Sequence, residues 1–216
     1  MTCRFLWTVL FLSLLGIAGN AIAPVRSIVL PSLAQGSAPK TILPADLPSR
    51  FDPAPAFLQK IILNSIAALN PDFKREGIVL EEAATFIDLE QAEIVMGLTA
   101  NLPNVDAIKK FDAGLRSPDS QQIFIEGLKK SLSSFGKVEI TQVKELSTVN
   151  KLGQIARGFA IEAKLPDRGL TISTESVAFR RGNTGILVIL GAIDHPLTSI
   201  RAADLALRLD RRLLSK

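Results

Sequence analysis

Tyrosine is absent from this 216-residue chain, while tryptophan, cysteine and histidine occur once each. The tryptophan is Trp7 and the cysteine is Cys3, so both lie at the amino terminus. Beyond them there is no thiol, which excludes disulfides, thiolate metal sites and cysteine nucleophiles from the rest of the chain. Tyr and Trp are also the usual anchors of interfaces and ligand pockets. Any binding site here must therefore rest on charge, Phe and aliphatic side chains. No Gly-x-Ser-x-Gly nucleophile motif and no internal repeat is present.

Strong charge imbalance is missing too. The chain carries 25 Lys and Arg against 21 Asp and Glu, a formal charge of +4, with a pI near 9.4. This mild basic excess favours solubility and weak attraction to anionic surfaces. Basic residues are not interleaved with aromatics, so nothing supports nucleic-acid binding.

What is present begins with a leader. Met1-Thr2-Cys3-Arg4 carries one positive side chain, residues 5–18 are uncharged and apolar, and Ala21-Ile22-Ala23 supplies small residues. Residues 1–23 therefore read as a secretory signal peptide. The apolar run is shorter than the ~20 residues a spanning helix needs. Cleavage after Ala23 would leave Pro24 behind the scissile bond, whereas cleavage after Ala21 avoids proline. A cut after Ala34, or retention as an anchor, completes the alternatives. Asn20 stands where a lipid-modified cysteine would have to be. The expected destination is the periplasm, the thylakoid lumen or the outside of the cell.

Prolines 24, 31, 39, 44, 48, 53 and 55 crowd the next segment. Proline removes an N–H and fixes φ, so this density excludes helix interiors and central strands. Residues 24–55 read as an extended tether, with a folded domain over 56–216. Phe57, Leu58, Ile61, Ile62, Ile66 and Leu69 then recur at helical spacing over 55–69. Apolar runs over 77–88 and 91–99 suggest a hairpin, although Glu81-Glu82-Ala83-Ala84 would equally suit a helical turn. Residues 101–116 read as a loop with a short helix at 105–111. Ser117-Pro118-Asp119 marks a helix start, and Gly136 its end.

Four strand-like runs follow, at 137–141, 159–165, 170–181 and 184–193. In the third, Leu170 and Ile172 share one parity and Val177 and Phe179 the other, which a bulge at 174–176 would explain. Gly182-Asn183 suits a two-residue hairpin turn. The run from Ile186 to Ile193 is apolar on both parities, as in a strand buried on both faces. Ala202, Leu205, Ala206, Leu209 and Leu213 trace a helical stripe over 198–214. The expected fold is α+β: a mostly antiparallel sheet of about six strands, with helices on both faces.

The carboxy-terminal half resembles the PsbP-like fold, seen in extrinsic photosystem II subunits and in exported lipoproteins of the LpqN type. The resemblance rests on the long strand ending Ala178-Phe179-Arg180-Arg181-Gly182-Asn183, the buried strand after it, and the closing helix Ala202-Ala203-Asp204-Leu205-Ala206-Leu207-Arg208-Leu209. It implies a non-catalytic binding or assembly factor and transfers no functional residue.

Candidate sites are few. Asp194-His195, after the buried strand, could do acid–base work as part of a hydrolase, because imidazole titrates near neutral pH. Adjacent residues on extended chain do not face each other, so a loop histidine beside a capping aspartate is the simpler reading. Glu81, Glu82, Asp88, Glu90 and Glu93 could offer oxygen ligands to a divalent cation, but their spacing fits no metal loop and solvated strand faces explain them. Asp119 and Glu126 do not pair. Lys129-Lys130 and Arg180-Arg181 read as dispersed surface charges. The remaining cluster is Arg201, Arg208, Arg211 and Arg212 together with Lys216, with Arg201, Arg208 and Arg212 on the side of the last helix away from its stripe. There they could dock an anionic membrane surface or a membrane-associated protein. The sequence thus points to an exported, non-catalytic binding factor without cofactor or metal. The alternative is a hydrolase using Asp194 and His195.

Overall fold

A computed structural model describes residues 40–56, 58, 59, 75–197 and 200–214. The leader and most of the expected helix at 55–69 lie outside these residues.

Seven strands form one antiparallel sheet: β1 (Asp52–Pro53), β2 (Val79–Asp88), β3 (Glu93–Asn101), β4 (Glu139–Glu145), β5 (Ile155–Leu165), β6 (Leu170–Arg181) and β7 (Thr184–Ile193). Their spatial order is β1-β2-β3-β7-β6-β5-β4, so β7 is central. The described helices are α1 (Val105–Arg116), α2 (Ser120–Leu132) and α3 (Ala202–Leu214). The fold is α+β, with seven strands where about six were expected. The additional one is β1, two residues inside the proline-rich segment that pair with Phe86 and Ile87 at the sheet edge.

Hairpins account for most of the sheet. β6 turns into β7 at Gly182, whose φ of 60° occupies the first central position of a two-residue turn, where a β-carbon would be strained. Both parities of β7 are buried: Ile186, Val188 and Leu190 enter one core cluster, Leu187 and Ile189 the other. The stretch Glu81-Glu82-Ala83-Ala84 belongs to β2 and is not a helical turn.

No bulge interrupts β6, contrary to expectation. Its pairing with β5 and β7 is continuous across 174–176. The apparent change of parity arises because β6 is also buried on two sides, with Ile172 and Ala178 in one cluster and Val177 and Phe179 in the other. Register shifts occur instead in β2 between Leu80 and Glu82 and in β4 between Ile140 and Gln142.

Residues 101–116 are more helical than expected. Asn104 Oδ1 accepts a hydrogen bond from the Ala107 amide at 2.9 Å, and α1 then runs for 12 residues. Its Phe111 lies against β7 at Gly185, where an added β-carbon would meet the ring at 2.8 Å. Ser117 ends α1 and Asp119 begins α2, so the anticipated start signal falls at the corner between two helices. Arg157 of β5 closes this corner, donating to the carbonyls of Leu115 and Ser117. Leu115, Phe124, Leu128 and Leu132 pack with Phe159 and Ile161 in the first cluster, while Leu205, Ala206 and Leu209 of α3 pack with Phe179 and Val188 in the second.

The expected tether is partly folded. Ile42, Leu47, Phe51 and Ala54 are buried, so packed structure begins by Lys40 and not at residue 56. This segment crosses β3 so closely that a β-carbon on Gly97 would lie 2.8 Å from Ile42 Cγ1 and Thr41 Oγ1. Proline does not oppose such packing. Pro44 sits at the first position of a short 3-10 turn, where its missing N–H is not needed.

Candidate functional site

The four arginines expected to form an outward patch have different roles. Arg212, with its side chain 20% exposed, donates to both carboxylate oxygens of Asp46 at 2.5 Å and to the Thr41 carbonyl at 2.8 Å. Arg208 reaches the Asp46 carbonyl at 2.5 Å. Arg201 pairs with the buried carboxylate of Glu175, whose other oxygen accepts from the Ala202 amide at the start of α3. Arg211 is exposed. Three of the four thus fasten the chain to itself, two of them holding residues 41–46. Arg201 and Arg208 remain at the surface while doing so.

The acidic stretch serves the same segment. Lys40 Nζ meets Glu81 at 2.8 Å, and the amides of Lys40 and Thr41 donate to Glu82 at 3.0 and 3.1 Å. Arg50 pairs with both Asp88 and Glu93. Asp88 also accepts from the amides of Glu90 and Gln91, which shapes the β2–β3 turn. Four of the five acids considered as metal ligands therefore receive protein cations or amides. Among the described residues, no cluster of three or more His, Cys, Asp or Glu side chains is arranged to hold a metal ion.

Arg180 and Arg181 were read as dispersed charges and are instead two half-buried ion-pair sites. Arg180 grips Asp112 of α1, and Arg181 grips Asp210 of α3. The sequence carries no local signal for these pairs, because each partner is at least 29 residues away.

The hydrogen bonds of Asp194 and His195 go to backbone groups and not to each other. Asp194, at φ 61°, accepts from the Thr171 amide through Oδ1 at 2.8 Å and donates its own amide to the Thr171 carbonyl at 2.7 Å. Both imidazole nitrogens of His195 face carbonyl oxygens, Nδ1 that of Pro196 and Nε2 that of Gln91. Two acceptors around one ring favour its doubly protonated form, so the pKa is raised, first by the Pro196 carbonyl and then by that of Gln91. A general base needs the opposite arrangement, with a free nitrogen lone pair directed at substrate.

Sequence reasoning missed an apolar concavity. A cavity of about 280 Å³ lies at the end of the sheet where β2 turns into β3 and β7 ends. Its floor is aliphatic: Ile87, Ile94, Ile172 and Ile189 project from four neighbouring strands, with Leu58 beside them. Leu89, 82% exposed, and Ile193, 37% exposed, also line it. Asp88 and Glu93 contribute to the wall, but their carboxylates are engaged by Arg50. Alternation along β2 and β3 places those side chains with Phe86 and Val95 of the second cluster, away from Ile87 and Ile94. The signal was diffuse, since it needed isoleucines from four strands to be brought together.

Neither a family model nor a curated protein matches the chain.

Proposed function

We propose that this protein is an exported, non-catalytic binding or assembly factor of the PsbP-like kind that docks on a membrane-associated partner. The observation that carries the reading is the apolar end of the sheet, where Leu89 and Ile193 stand exposed beside an aliphatic cavity. Large exposed apolar side chains grouped at a concavity mark interaction surfaces. The commitment of Asp194 and His195 to backbone partners supports binding over hydrolysis. Helices lying on both faces of the sheet, α1 and α2 on one and α3 on the other, would support the PsbP-like comparison. The opposite pairing of the adjacent residues Arg180 and Arg181 favours that layering. Arg201, just before α3, and Arg208 and Arg211 within it add positive charge at the surface, suited to an anionic surface next to the partner.

The test is affinity capture from the native envelope or thylakoid membranes with wild-type protein and a Leu89→Ser/Ile193→Ser variant. Both positions are exposed, so the variant should fold. Recovery of one membrane-associated protein by the wild type, and its loss with the variant, is the expected result. Equal capture by both would remove the apolar end from the interface. Ester or peptide hydrolysis abolished by His195→Ala would replace the binding reading with the hydrolase alternative.

A further inference from the structure

We infer that the cavity at the β2–β3 end of the sheet is a ligand site for a single alkyl or acyl chain. The inference rests on reading this end of the molecule as its binding face and specifies what enters it.

The chemistry of the walls selects the ligand. Ile87, Ile94, Ile172, Ile189 and Ile193 present methyl and methylene groups. The hydroxyl of Thr174, the polar side chain of the floor, is directed to the Ile161 carbonyl at 3.3 Å. The nearby carboxylates of Asp88 and Glu93 are drawn to Arg50. A charged or strongly polar group inside the cavity would lose its hydration without gaining a partner, at a cost of several kcal/mol. An apolar group would gain burial at every wall.

Size and access narrow the class. Cavities holding drug-sized ligands span roughly 300–1,000 Å³, and an apolar cavity of ~150 Å³ already takes up benzene. At about 280 Å³ the space suits one chain, not a multi-chain lipid. The walls described offer no aromatic ring against which a planar ligand could stack. A polar headgroup has its natural place at the mouth beside Leu89 and Ile193, in water.

The experiment is a titration of isoleucine-methyl-labelled protein with 1-octanol, followed by NMR. The methyls of Ile87, Ile94, Ile172, Ile189 and Ile193 should shift together and saturate at one equivalent. Those of Ile42, Ile186 and Ile200, in the second core cluster, should stay in place and serve as an internal control. Ile94→Phe, which fills a half-buried wall, should weaken binding at least about tenfold. Ile193→Trp, at an exposed position, supplies a variant whose folding is secure and should weaken it in the same sense. Shifts spread over both clusters, absence of saturation, or unaltered affinity in Ile193→Trp would overturn the assignment. The readout is independent of partner capture: octanol binding without a captured protein would leave the cavity standing and the docking reading refuted.

Discussion

Arg180 and Asp112, 68 residues apart, form two parallel hydrogen bonds of 2.6 and 2.8 Å with little exposure on either side chain. The planar guanidinium matches the carboxylate fork, so the pair fixes both the distance and the rotation of α1 against β6. Arg181, the next residue, holds Asp210 of α3 in the same way. Two adjacent residues of β6 thus each hold a different helix.

Removing one member of the first pair should leave a half-buried charge without its partner. Asp112→Asn is expected to cost about 3 kcal/mol of stability. Replacing both partners by apolar residues, Arg180→Met with Asp112→Leu, should cost less than the single change. Urea unfolding of the wild type, the single variants Arg180→Met and Asp112→Leu, and the double variant measures this. Additive losses would mean that the pair does not couple α1 to the sheet.

Arg201, Arg208 and Arg212 should affect folding as well as association. From the sequence, changing Arg201, Arg208 and Arg212 together to Gln would weaken membrane association with little effect on stability. The bonds of Arg212 to Asp46 and of Arg201 to Glu175 reverse the second half of that expectation. The triple variant should lose on the order of 2 kcal/mol or more, and residues 40–51 should become sensitive to protease. Arg211→Gln should be stable, and it is the variant with which to test electrostatic docking, by its dependence on salt.

His195 should make stability depend on pH. Its folded pKa lies above the ordinary value of 6.5, because two carbonyls favour the protonated ring. The sign follows from linkage: the native state holds the proton more tightly than the unfolded chain. The contribution is therefore fully present below pH 6.5 and is lost as pH rises through the folded pKa. His195→Gln should flatten the thermal-unfolding midpoint between pH 6 and 8 relative to wild type. An identical pH profile in the two proteins would dissociate His195 from this dependence.

Processing should be visible in the absorption spectrum. Trp7 is the sole tryptophan and there is no tyrosine, so removal of residues 1–23 would remove the strong absorbers near 280 nm. The processed protein should show weak Phe bands near 260 nm only, and no disulfide can add to them because Cys3 leaves with the same segment. Native protein retaining tryptophan emission would mean that the leader persists as an anchor.

Local chemistry was legible wherever a residue's own neighbours decide its conformation. Gly182-Asn183 marked the hairpin, the two-sided apolar run of 184–193 marked the central strand, and Ala202, Leu205, Ala206 and Leu209 marked the buried stripe of α3. Each follows from φ/ψ preference or from periodicity, which sequence alone determines. Tertiary structure decided the rest. The prolines at 44, 48 and 53 rule out a helix interior but are silent on whether Ile42, Leu47 and Phe51 pack. That was settled by Gly97 leaving room on β3 and by cations and acids distributed from Lys40 to Arg212. An arginine on a helix surface reads as solvated until its partner is known, and Asp46 lies 166 residues from Arg212. The cavity has the same origin, because Ile87, Ile94, Ile172 and Ile189 become one wall only when antiparallel pairing sets β2, β3, β7 and β6 side by side.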